Sequence, residues 1–149
     1  MRFPLRLALL FPLLLCAPPT SGADLTGKAE IVDGETIVIA GQEIRLHGID
    51  APTLGEICDA EGVPWHCGQE AAFALAAAIG RTWVDRDIRD AGTLRRIVAV
   101  CRVGGPKGRD LGAWLVRGGW ARAAIADYAT QEKAAQDASL GLWRSHVAR

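Results

Sequence analysis

The sequence is short of several things. Aromatic residues are 6% of its 149 positions, and five of those nine side chains are tryptophan. Lysine is scarce, three against 14 arginines, and the formal net charge is zero. A chain without net positive charge has no global pull on nucleic acid, so any hold on phosphate must come from a local group of arginines. The planar guanidinium fork suits such two-pronged contact with an oxyanion better than an ammonium point charge does. No internal repeat or low-complexity linker is present, which excludes a collagen-like chain. Four cysteines are too few for a knottin-like scaffold, and apolar runs are too short and too few for a polytopic membrane protein. What is present is apolar mass: half the residues are hydrophobic, enough for a core, and the length fits one domain.

The N-terminus reads as a targeting segment. Arg2 and Arg6 precede a nearly continuous run of Leu, Ala and Phe from Leu7 to Cys16. Pro18-Pro19 then breaks the run, and Ser21 and Ala23 supply small residues for cleavage, the layout of a secretory signal over 1–23. An uncleaved anchor and a lipidated Cys16 are the alternatives, the latter disfavoured by the large Leu15 before it. Removing 23 residues, which carry two arginines and no acid, leaves a domain of 126 residues (24–149) with a charge of −2. The expected location is secreted or periplasmic, with no stable membrane association once the signal is cleaved.

In an oxidising compartment the three remaining cysteines give one disulfide and one spare thiol. Cys58 and Cys67 flank a loop containing Gly62 and Pro64 that can fold back on itself, and Cys101 lies in an apolar run. The alternative is a zinc site of Cys58, His66 and Cys67. It is disfavoured because adjacent His and Cys side chains cannot easily share one tetrahedral ion.

Three short strands are expected first, over 29–32, 36–39 and 43–47, with Asp33-Gly34 and Ala40-Gly41-Gln42 as turns. Ile44 and Leu46 alternate with Arg45, so period two puts Arg45 on the opposite face from them. A helix follows over 69–79, then strands over 83–88 and 96–103. Helices over 110–117 and 128–140 close the chain, with Gly141 as the final cap and Leu142-Trp143 folding back into the core. That order is α+β and fits the plan of a five-stranded OB-fold barrel with three helices, which binds oligonucleotides or oligosaccharides. Polar residues gather at the strand ends: Asp33, Glu35, Thr36, Arg45, Asp50 and Arg96. Carboxylates on two loops can hold a hard divalent cation, and arginines beside it can clamp a phosphate. A turn with a solvated set of ion pairs is the plainer reading of the same residues.

Five blocks, in order, resemble the staphylococcal nuclease (thermonuclease-like) family. They are Asp33-Gly34-Glu35-Thr36, the run from Ile44 to Pro52, the run from Arg96 to Cys101, Gly118-Gly119-Trp120-Ala121 and Gly141-Leu142-Trp143. The resemblance spans about Leu25 to Trp143. It implies an OB-fold and calcium-dependent hydrolysis of DNA and RNA phosphodiesters. By the same resemblance Glu35 and Asp50 are the metal carboxylates, with the Ala51 carbonyl beside them and Asp33 behind. Arg45 and Arg96 are the phosphate-binding arginines, and the general base, a glutamate after the proline, falls on Thr53.

Thr53 is a departure, because a hydroxyl cannot take a proton from water as a carboxylate does. Glu56 is the nearest acid, and its simplest role is a solvated loop charge. Glu35 stands where the family has aspartate, one methylene longer. The family's Asp-Arg-Tyr-Gly-Arg run is Gly92-Thr93-Leu94-Arg95-Arg96 here, keeping only the last arginine. After Gly-Trp-Ala, the segment Arg122 to Ala126 lacks the aromatic residues on which bases stack. The expectation is a weakened calcium-dependent nuclease, a monomer acting on single-stranded DNA or RNA. The alternative is a non-catalytic OB-fold module for a polyanion, an oligosaccharide or a protein partner.

Overall fold

A computed structural model describes residues 26–93 and 96–144. The expected signal over 1–23 lies outside them, as do Leu94 and Arg95. Strands β1 (Ala29–Ile31), β2 (Thr36–Ile39) and β3 (Gln42–Leu46) form an antiparallel meander. A short β4 (Ile49–Asp50) leads to a small hairpin, β5 (Cys58–Ala60) with β6 (Val63–Trp65). Helix α1 (Cys67–Ile79) crosses to the long hairpin β7 (Val84–Thr93) and β8 (Arg96–Val103). Strand β9 (Arg109–Asp110) runs into α2 (Leu111–Arg117), and β10 (Arg122–Ala123) precedes α3 (Ala129–Asp137). Single 3₁₀ turns at Ala126–Tyr128 and Gly141–Trp143 complete the described chain.

The main sheet runs β1-β2-β3-β8-β7, with β3 parallel to β8 and the other neighbours antiparallel. One bridge, Gly27 with Val84, brings the two edges together, so the sheet curls toward closure. This mixed α+β arrangement, a curled sheet with three helices, is consistent with the OB plan. Alternation decides which face is inside: Ile37, Ile39, Ile44, Leu46, Ile97 and Ala99 are buried, while Glu43 and Arg45 between them point outward. Leu111, Leu115 and Val116 of α2 are fully buried against this face. Each such side chain contributes about 1.5–3 kcal/mol by leaving water.

Helix ends follow local chemistry. Asp110 caps α2, its Oδ1 accepting from Ala113 N–H at 3.1 Å, and its Oδ2 accepts from the buried Tyr128 hydroxyl at 3.0 Å. The last helix is shorter than expected. Ser139 takes the left-handed conformation (φ 53°), and the N–H groups of Ser139 and Leu140 donate to Gln136 and Ala135 carbonyls. That pair of bonds ends α3 with serine in the position glycine usually fills. Gly141 therefore opens the following turn and does not cap the helix. Strand β7 extends to Thr93, past its expected end at Ile88, and register shifts after Ile88 and Asp90 let it continue. The β5–β6 hairpin stands where a loop is expected, since Asp59, Glu61 and Pro64 break any apolar alternation there. Its turn is held by the Asp59 carboxylate, which accepts from Gly62 N–H.

Cys58 and Cys67 form a disulfide, joining this hairpin to the first residue of α1. The zinc alternative fails with it, because bonded sulfurs offer no thiolate. Cys101 is free and buried. Burial pushes its thiol up to about 12, with the Arg86 guanidinium across the β7–β8 ladder opposing. Arg86, in turn, is lowered by its own desolvation.

Candidate functional site

The site is assembled from two turns held against one helix. In the β1–β2 turn the Asp33 carboxylate accepts from Glu35 N–H at 2.9 Å, the side-chain-to-backbone bond that Asp brings to turns. Gly34 packs so closely on Ala71 of α1 that a Cβ would lie 2.7 Å from the alanine methyl. Beyond β4, the segment after Pro52 rests on α1 at Gly68. A side chain there would meet the Thr53 carbonyl at 1.8 Å, so only glycine allows the approach. The disulfide tethers the same segment, and Gly68 N–H donates to the Glu56 carbonyl.

These supports aim Glu35 at Arg45 and Ala51. Glu35 Oε1 lies 2.9 Å from Arg45 Nε, and Oε2 accepts from Ala51 N–H at 3.1 Å. The Glu35 side chain is only 15% exposed, whereas those of Arg45 and Asp50 are 43% and 69% exposed. The carboxylate is therefore fixed from behind, and the guanidinium and second acid face solvent. Arg45 Nη2 lies 4.0 Å from Asp50 Oδ1. Glu35, Arg45, Asp50 and Ala51 thus converge, with Asp33 holding the turn behind them.

Arg96 stands apart. It pairs across β8 and β3 with Glu43, whose Oε1 it reaches through Nε at 2.6 Å and Nη2 at 2.5 Å. Glu43 and Arg45 are two positions apart on one strand, so Arg96 and Arg45 share a sheet face, offset by about 7 Å along the strand direction. They are neighbours on that face, but Arg96 is engaged by an acid for which the sequence offered no signal.

An open groove of about 280 Å³ begins at this cluster. Asp50, Ala51, Thr53 and Glu56 line one part of it, and Arg122 and Leu142 another. Glu56 is more than a solvated charge: its Oε2 accepts from Thr53 N–H at 3.1 Å, and its own N–H donates to the Thr53 carbonyl at 2.8 Å. Its carboxylate also lies near both sulfurs of the disulfide, but that trio offers a metal only one usable ligand. Arg122 was not among the expected site residues. It faces Asp50 across the β10–β4 ribbon.

The segment Arg122 to Ala126 carries no aromatic ring, and the tryptophans of other segments are paired with arginines. The Arg122 guanidinium lies over Trp143 at 5.3 Å, and Arg144 sits over Trp65 at 4.1 Å and near Trp120 at 5.9 Å. Trp143, expected in the core, is only partly buried. Contacts between segments this far apart leave no short-range pattern to read. Among the described residues no helix is long and apolar enough to cross a membrane.

Comparison with known proteins agrees with the motif reading. Residues 43–145 match the family described as staphylococcal nuclease homologue. A curated relative, the succinoglycan biosynthesis protein ExoI of Rhizobium meliloti (strain 1021), is 31% identical over 144 residues. That match covers 93% of this chain and 74% of the relative.

Proposed function

The chain belongs to the staphylococcal nuclease homologue family, and from that membership we propose a metal-dependent phosphodiesterase of reduced turnover, acting on single-stranded DNA or RNA outside the cytoplasm. The observation that carries this is the convergence of Glu35 and Asp50 on Arg45, with Asp50 and Ala51 also lining the adjoining groove. The disulfide supports an oxidising compartment.

In this reading Arg45 grips the non-bridging oxygens of the phosphate. Its side chain is 43% exposed, while Nε is held by Glu35 and Nη2 lies 4.0 Å from Asp50, so the fork is oriented before substrate arrives. The family is generally metal-dependent, and the donor set here is all hard oxygen: Glu35, Asp50 and the Ala51 carbonyl, which suits calcium. Bound among them, such a cation supplies Lewis-acid polarisation of the phosphoryl oxygen. Both Glu35 oxygens already meet a donor, so a cation held there would share that carboxylate with Arg45. At Thr53 no carboxylate stands where the family has its base, and general-base help is typically worth ~10²–10⁴ in rate. Reduced turnover follows from that loss.

A second reading, a non-catalytic module binding an oligosaccharide or other polyanion, is favoured by Thr53 and by the relative's role in succinoglycan biosynthesis. The two separate in one assay. The purified mature chain is incubated with single-stranded DNA, RNA and an acidic oligosaccharide, with calcium or with a chelator. Calcium-dependent strand scission supports the enzyme; binding without scission supports the module.

A further inference from the structure

We propose that Arg122 is a second phosphate-binding residue of the groove, contacting a backbone phosphate adjacent to the one gripped by Arg45. The proposal deepens the nuclease reading and rests on it. Among the described residues the groove is lined by two carboxylates, Asp50 and Glu56, and by one cation, Arg122. A polyanion laid beside two acids is repelled unless a cation offsets them, and like-charge contact of that kind is costly. Arg122 is in place to offset them, since its strand position faces Asp50 directly.

Its state differs from that of the other two arginines. Arg45 is held by Glu35, and Arg96 gives both Nε and Nη2 to Glu43. Arg122 is exposed and makes no ion pair among the described residues. It is nonetheless oriented, because its guanidinium lies over the Trp143 ring. Stacking on a ring occupies the face of a guanidinium and leaves its N–H edge for an oxyanion. The ring is itself anchored: Leu142 N–H donates to the Gly119 carbonyl at 2.8 Å, tying the turn that carries Trp143 beside β10. An arginine ordered before binding loses less side-chain freedom when it takes a phosphate.

The test is fluorescence anisotropy with a short, cleavage-resistant phosphorothioate oligothymidylate in calcium, over a series of salt concentrations. Arg122→Ala is expected to weaken binding about tenfold and to flatten the slope of log K against log salt by about 0.7, one single-strand phosphate contact. Arg122→Lys keeps the charge and should recover most of the slope. Trp143→Leu should fall between wild type and Arg122→Ala, and Arg117→Ala, an exposed arginine at the end of α2, should match wild type. Thermal melts confirm that each variant is folded. Wild-type affinity and slope in Arg122→Ala, with binding lost in Arg45→Ala, would overturn the role of Arg122 and leave the nuclease reading standing. No binding by the wild-type chain would overturn both.

Discussion

Replacing Thr53 by glutamate asks whether the missing base is what limits this site. The residue is exposed and lines the groove beside Asp50 and Ala51, so the substitution should change folding stability by no more than about 0.5 kcal/mol. The new carboxylate arrives close to Glu56, whose Oε2 already bonds the Thr53 amide at 3.1 Å. Two unit charges about 4 Å apart in water repel by roughly 1 kcal/mol, which works against the variant. Against this stands the general-base contribution of ~10²–10⁴, roughly 3–5 kcal/mol of barrier. Glu35 remains one methylene longer than the family's aspartate, and a misplacement of about 1 Å can absorb ~10² of any gain. The net expectation is a rise in kcat of about tenfold or more, with KM little changed. The assay is initial-rate cleavage of a fluorescent single-stranded oligonucleotide at saturating calcium. A folded Thr53→Glu chain that cleaves no faster than wild type would refute the assignment of this position to the base.

Three further outcomes follow from the geometry. Tyr128→Phe removes a hydrogen bond to the charged Asp110 and should lower unfolding stability by about 1.5–3 kcal/mol in urea. Asp110→Ala also removes the α2 cap and should cost about 1 kcal/mol more; equal losses would contradict the dual role. Opening the Cys58–Cys67 bridge by a double serine substitution should lower stability by about 2–3 kcal/mol and reduce oligonucleotide affinity, because the segment carrying Thr53 and Glu56 loses its tether. For Cys101 the folded state holds the thiol proton up to about pH 12, whereas the exposed thiol releases it near 9.0. The unfolded state therefore binds fewer protons in that window, and stability should fall as pH rises from about 9 to 12. Cys101→Ala should flatten that fall; an unchanged slope would exclude the thiol as its source.

Much of this was legible where the cause is local. Alternation of Ile44, Arg45 and Leu46 put Arg45 outside the core because strand period two needs only neighbours to declare itself. The end of the helix at Arg117 and the Cys58–Cys67 pairing were readable for the same reason, each set by a short stretch with its own chemistry. The illegible parts are cross-chain. Arg96 meets Glu43 across 53 residues through the parallel β3–β8 register, which no window on the sequence contains. Arg122 faces Asp50 through two strands of two residues each, too short to carry a period. Ser139 in a left-handed conformation ended α3 where Gly141 had looked like the cap, because backbone bonds to Ala135 and Gln136 outweighed the serine's reluctance. Trp143 gave no sign that its ring would support a guanidinium, since the partner lies in a separate segment.

The proposed chemistry depends on one guanidinium, oriented by Glu35 and near Asp50, having a phosphoryl group to hold. Initial rates of calcium-dependent single-strand cleavage by the mature chain and by Arg45→Ala, both shown folded by thermal melts, test it most directly. The expected result is cleavage that a chelator stops and that Arg45→Ala reduces by ~10²–10³, the usual loss when a preorganised donor to transition-state charge is removed. Equal rates in the two chains, or cleavage indifferent to calcium, would contradict it.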